Sequence, residues 1–321
     1  MDQKGYIISG LSFLLIIPAI YIIIAFTEMT KTGSQSQELL IQSDIVLSTE
    51  RDIETNLPLI AEYTFQKTSE EVIKHEYPIQ NSEMTIKNRL QSKIDDLTRK
   101  YKNERINASC KIISVHPSQD PFKVNISSII TINKDNINHQ IILSQNIPIT
   151  DPKYPISDAL PFIKCKNFGR IKNTNQRIMY GLSLRNYLKN EKMHNADVYI
   201  NATSPLIFKK CPYEPYTTHG QSYKLTDLRN CIENGFYHES NDGSCFLCRL
   251  EGRSVCNHAG METFIIPQVT ENQGYLSAPC SSDHVIFNDN YEGLGLIYHS
   301  NTTGYYKIFL DKGHRLKYGL I

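Results

Sequence analysis

The chain has 321 residues, with 34 basic against 33 acidic side chains, a hydrophobic share of 40%, 19 Tyr, 12 Phe and no Trp. Charges this evenly balanced argue against an electrostatic nucleic-acid binder, and the apolar content argues against disorder over most of the length. The length accommodates one large domain or two ordinary ones, plus an anchor.

Residues 1–5 form a short leader. The run Tyr6–Phe26 that follows holds 21 residues without a charge, and at about 1.5 Å per helical residue it matches a hydrocarbon layer roughly 30 Å thick. A helix over 6–28 is therefore read as a retained membrane span. A secretory signal needs small residues at its cleavage site, whereas Ala25 is followed by bulky Phe26, then Thr27 and Glu28. Lys4 and Lys31 flank the run and barely orient it.

A helical region is expected over 29–110. Leu39, Val46 and Ile53 recur every seven residues, and Thr55-Asn56-Leu57-Pro58 reads as a helix restart. A further helix should begin near Ser82, because Ile86, Leu90, Ile94, Leu97 and Tyr101 follow helical spacing. The period then changes to two. Strands are predicted at 111–116, 122–133 and 136–149, with an antiparallel turn at Lys134-Asp135. The Pro-rich stretch 151–164 is the expected junction, and 165–321 a Cys-rich mixed α/β domain. Within it, 176–192 reads as a helix, and 197–200, 262–266, 284–287, 294–299 and 305–310 as strands. The fold class is α+β: a transmembrane helix, a helical stalk, an antiparallel hairpin or sheet, then a Cys-rich ectodomain.

Two features point outward. N-x-[ST] glycosylation candidates occur at Asn107, Asn125, Asn201 and Asn301, and Asn125 alternates with apolar neighbours as on the polar face of a strand. Eight cysteines, Cys110, Cys165, Cys211, Cys231, Cys245, Cys248, Cys256 and Cys280, behind an export-type anchor read as a disulfide framework with no cofactor. The alternative is zinc on Cys245-x2-Cys248-x7-Cys256-x-His258, three sulfurs and an imidazole in one short segment. Free thiols are the third option, and an oxygen-free source favours the last two.

No G-x-S-x-G, H-E-x-x-H or P-loop occurs. Ser281-Ser282-Asp283-His284 holds triad residue types, but adjacency does not build a triad. Asn288, Asp289, Asn290 and Glu292 miss the EF-hand pattern. The expectation is a non-enzymatic protein.

Lys4-Gly5 followed at once by the apolar run resembles the signal sequences of archaeal type IV pilin-like proteins. The resemblance implies peptidase cleavage between Gly5 and Tyr6, leaving a helix that anchors the subunit in lipid or packs with like subunits in a filament core. The segments Asp151–Lys164 and Asp311–Leu320 are similar to envelope proteins of methanogenic archaea that share this N-terminal design, which implies a single-pass membrane protein with its bulk outside.

Overall fold

The computed structural model describes residues 3–104, 106–166, 172–174, 176–192, 196–213, 216–219, 225–267, 280–288, 297–300, 307–310 and 312–319. It is a mixed α/β structure with one long N-terminal helix and several small antiparallel sheets.

Helix α1 spans Gln3–His75 without a break. Its two halves have different surroundings. From Ile16 to Ile41 the large apolar side chains, among them Tyr21, Phe26, Met29 and Leu40, are exposed. By length and composition this is a helix able to cross a membrane. From Val46 onward one stripe is buried, through Ile53, Leu57, Ala61, Phe65 and Val72, at the four- and seven-residue steps that keep one helical face inward.

The restart expected at Thr55–Pro58 does not occur, because α1 runs straight through Pro58. A proline inside a helix leaves the carbonyl four residues earlier without its donor. Here that carbonyl belongs to Glu54, and Gln145 Nε2 reaches it from a distant strand at 3.5 Å. The tertiary fold supplies the bond that proline removes.

Helix α2, Ser82–Arg99, begins where the spacing placed it. Asn81 caps it through its side chain, accepting from the Met84 N–H at 2.8 Å. Ile86, Leu90 and Ile94 are fully buried. Strands β1 (Asn107–Pro117), β2 (Lys123–Lys134) and β3 (Ile137–Pro148) form an antiparallel meander in the order β1-β2-β3, against which α1 and α2 pack. The turn falls at Asp135-Asn136, one residue later than predicted, with Asp135 at φ 51°. The outer edge of β1 is partly occupied: Gln91 on α2 donates to the Cys110 carbonyl and accepts from the Ile112 N–H, which blunts an edge that otherwise invites pairing.

The core continues through the Pro-rich stretch. Ile156, Ala159 and Ile163 share one buried cluster with α1, α2 and the meander, joined by Phe208, Tyr237 and Phe246 from the C-terminal half. Beyond it come α3 (Leu160–Lys164), β4 (Lys172–Thr174), β5 (Arg177–Met179), α4 (Ser183–Asn190), β6 (Thr203–Pro205), α5 (Leu225–Asn234), β7 (His238–Ser240), α6 (Phe246–Leu250), β8 (Gly260–Glu262), β9 (Phe264–Ile265), β10 (Ser281–Ser282), α7 (Asp283–Phe287), β11 (Ile297–Ser300), β12 (Lys307–Leu310) and α8 (Lys312–Lys317).

Three predicted elements change type. The helix expected from 176 begins only at Ser183, since Gln176 and Gly181 both take positive φ and Arg177–Met179 pairs as a strand. Residues 196–199 form a 3-10 turn and Asp283–Phe287 a short helix, where strands were expected. Apolar runs this short carry too little period to separate the two conformations.

Candidate metal centres

Four residues from separate elements converge in the first centre: Cys211, His219, Cys231 and His238. Cys211 is placed by its N–H donating to the Tyr237 carbonyl at 2.9 Å, and His219 closes the 3-10 turn Tyr216–Thr218. Cys231 lies on α5, which ends at Gly235 (φ 70°), where the N–H groups of Gly235 and Phe236 both return to the Cys231 carbonyl. His238 opens β7. All four are buried, and their ligand atoms lie within 4.8 Å of one another.

The polar atoms here are poorly satisfied by protein. Neither ring nitrogen of His238, nor Nδ1 of His219, has a hydrogen-bond partner among the described residues. Buried unpaired nitrogens are costly, and a metal ion is one group that would satisfy them. Cys211 Sγ lies 3.4 Å from His219 Nε2, close to the S···N edge of about 3.6 Å in a tetrahedral zinc site. Cys211 Sγ and Cys231 Sγ stand 3.0 Å apart, between the roughly 2.05 Å of a disulfide and the roughly 3.8 Å of a tetrahedral S···S edge. The hydrogen bond with Cys231, helped by His219, holds the Cys211 thiol far below its ordinary range against the opposing effect of burial. The same bond, with burial, raises Cys231. Aromatic rings fix both imidazoles: Tyr216 lies 5.6 Å from His219 and 4.9 Å from His238, and Tyr318 lies 5.3 Å from His238.

The second centre is Cys245, Cys248, Cys256 and His258. Cys245 caps α6 and Cys248 follows within its turn, so both sulfurs face one point. Cys256 is brought back by its N–H to the Gly243 carbonyl, and its sulfur accepts the Cys245 N–H at 3.4 Å. His258 Nδ1 is 3.6 Å from Cys245 Sγ and 3.4 Å from Cys248 Sγ, again the tetrahedral S···N edge. Cys256 is driven below the ordinary thiol range by hydrogen bonds from Cys245 and Cys248, while Cys248 is raised by the same sharing. The three cysteines are mostly buried and His258 is exposed. A close backbone approach makes this fold-back feasible: any Cβ on Gly260 would collide with the Gly243 backbone.

Both sets meet the donor chemistry of zinc, four Cys or His ligands around one point. The ion would cross-link segments that no disulfide joins. No S–S bond joins any pair of the eight cysteines in the structure. Five of them lie in the two candidate centres, and Cys110, Cys165 and Cys280 are buried. Burial pushes the Cys110 thiol up to about 11 and raises Cys165 further, so both are inert packing residues.

Charged groups tie the centres to the core. Arg249, between Cys248 and Leu250 on α6, is fully buried. Its Nη2 donates to Asp158 at 2.5 Å and to Asp283, and its Nε donates to Asp158 at 3.1 Å. Tyr237 Oη donates to the same Asp158 at 3.0 Å. One arginine thus joins the Pro-rich stretch, α6 and α7. In the Ser281–His284 segment, Asp283 faces Arg249, while Ser282 Oγ lies 3.2 Å from His284 Nδ1.

Of the glycosylation candidates, Asn107 and Asn201 are exposed, the latter at φ 56°. Asn125 is half-buried, its amide donating to Ser144 and Asn146 across the sheet. Asn301 lies outside the described residues, as do Asp289, Asn290 and Glu292; Gly5 and Tyr6 lie within α1. The centre at Cys211, His219, Cys231 and His238 was missed in sequence, where the intervals are too irregular to resemble a metal knuckle; its only signal was a cysteine and a histidine recurring twice within 28 positions.

No protein-family model matches this chain, and no curated protein or solved structure is significantly similar to it.

Proposed function

We propose that this chain is a membrane-anchored surface protein of pilin-like design. It acts by assembly or binding rather than catalysis, and zinc cross-links its C-terminal half. The observation that carries the reading is α1, a single helix whose N-terminal part exposes apolar side chains while its C-terminal part is core to the head. A soluble helix with that much bare apolar surface needs a partner. Lipid or the equivalent helix of a like subunit supplies one, and cleavage between Gly5 and Tyr6 would leave the apolar run at the new terminus. The exposed Asn107 and Asn201 suit an outward-facing head.

Zinc takes the structural role expected of disulfides. A Cys2His2 and a Cys3His set each close a segment too short to bury a core alone. Thiols persist in an outer compartment only where oxidant is scarce, so the reading implies an oxygen-poor setting. Intact-mass spectrometry of native protein from membranes tests the anchor, with an N-terminus at Tyr6 and sedimentation with filaments expected. A Met1 terminus on a freely soluble protein would refute it. Elemental analysis should find at least two zinc ions per chain, and disulfides at these five cysteines would overturn the zinc.

A further inference from the structure

A third convergence of ligand types lies next to the first centre. Strand β7 pairs with β8 so that His238 stands opposite Glu262. Glu262 is fully buried and is met by His284 from α7 and His314 from α8. Their ligand atoms fall within 4.8 Å of one another.

The two oxygens of Glu262 are used differently. Oε1 is held by Tyr318 Oη at 2.6 Å and Lys317 Nζ at 2.8 Å. Oε2 faces His314 Nε2 at 3.0 Å, His284 Nδ1 at 3.2 Å and Ser240 Oγ at 3.0 Å. A carboxylate offers about four lone-pair sites, roughly two on each oxygen. Five polar groups crowd this one, and the excess falls on Oε2. His284 Nδ1 lies equally close, at 3.2 Å, to Ser282 Oγ, so in the metal-free protein the crowding is relieved only if His284 donates there. A cation placed between Oε2, Nδ1 and Nε2 is the other arrangement that satisfies all three atoms, because each imidazole then presents a lone pair.

The two carboxylate–imidazole distances suit such an ion. Ligands at about 2.1 Å on one face of an octahedron are separated by about 3.0 Å, against the observed 3.0 and 3.2 Å from Oε2 to the two nitrogens. Ligating carboxylates are themselves hydrogen-bonded by outer groups, and Lys317 and Tyr318 do this from Oε1, the oxygen turned away from the imidazoles.

We propose that Glu262, His284 and His314 form a third metal centre for a divalent first-row transition ion. Two imidazoles and one carboxylate leave coordination positions open to water or an oxygen-donor ligand, unlike the closed sulfur-rich centres. This goes beyond the anchored, zinc-braced reading and does not depend on it.

Cobalt(II) titration of the full-length, metal-stripped protein in detergent, under anaerobic conditions, tests the assignment. Cobalt bound by thiolate shows sulfur-to-metal charge transfer, and cobalt bound by nitrogen and oxygen alone does not. Three equivalents are expected, one of them binding without charge-transfer absorption. His284→Ala and His314→Ala should each lose that equivalent alone, with near-ultraviolet circular dichroism confirming the fold. Saturation without any equivalent lacking charge transfer would overturn the proposal in the unaltered protein, whatever the variants do. So would retention of that equivalent in both folded variants. A single equivalent, free of charge transfer, would uphold this centre while refuting the two zinc sites.

Discussion

Replacing Arg249 by methionine is the most direct challenge to the account of how the C-terminal half is held. The side chain is fully buried between Asp158 and Asp283, whose side chains are equally inaccessible. Removing one partner of a buried ion pair costs about 3–5 kcal/mol. Two carboxylates are stranded here, yet each keeps other donors: Asp158 retains the Leu160 N–H and Tyr237 Oη, and Asp283 retains the N–H groups of Thr263 and His284. The loss is therefore about 4 kcal/mol once, not twice, against a typical total stability of about 5–15 kcal/mol. At about 2–4 °C per kcal/mol for a chain of this size, Tm should fall by roughly 10 °C. The chain has no Trp, so thermal unfolding is followed in detergent by near-ultraviolet dichroism of its tyrosines. Combining Arg249→Met with Asp158→Asn and Asp283→Asn should restore much of the loss, because replacing a whole buried ionic group is far cheaper than breaking it. A loss under about 1 kcal/mol for the single variant, or a triple variant no better than the single, would refute the reasoning.

Two further outcomes follow from buried positions. Glu62 is almost inaccessible and its Oε2 has no hydrogen-bond partner; burial, then the nearby Asp151, raises its carboxyl above 4.5. The folded chain holds that proton to higher pH than the unfolded chain. The associated stability is therefore complete below about 4.5 and is lost as pH rises through the folded value. Glu62→Gln should accordingly gain about 1 kcal/mol at pH 7 and nothing near pH 4, as read from urea midpoints at the two pH values. Gly260→Ala forces a methyl against the Gly243 backbone, at a cost of about 1–3 kcal/mol. It should also speed alkylation of Cys256, whose N–H is bonded to the Gly243 carbonyl, as counted by mass spectrometry after timed labelling.

What the sequence could disclose was governed by range. Ile86, Leu90 and Ile94 announce α2 because a helical face is a local property, and the parity of Phe122, Val124 and Ile126 announces β2 for the same reason. Pro58 misled because its compensation lies in Gln145, on another element. Among the ligand sets, only Cys245 to His258 sits in one segment, and only that set was visible in advance. Cys211 and His238 meet through the pairing of the Cys211 N–H with the Tyr237 carbonyl, and Glu262 meets His314 across 52 positions of chain. No spacing rule anticipates contacts that a fold creates.

The unbroken course of α1 has a mechanical consequence. Between Phe26, at the end of the uncharged run, and Val46, the first side chain buried in the head, the backbone rises roughly 30 Å as a lone helix. The head is thus carried on a helical strut with no loop in it, and Gly33, in open space near its middle and followed by Ser34, is where it resists bending least. Tension on the head passes directly along the axis to whatever grips the apolar end. An unsupported helix of that length is marginal in water, so the strut should be stiff when neighbouring struts flank it and give way first when it stands by itself.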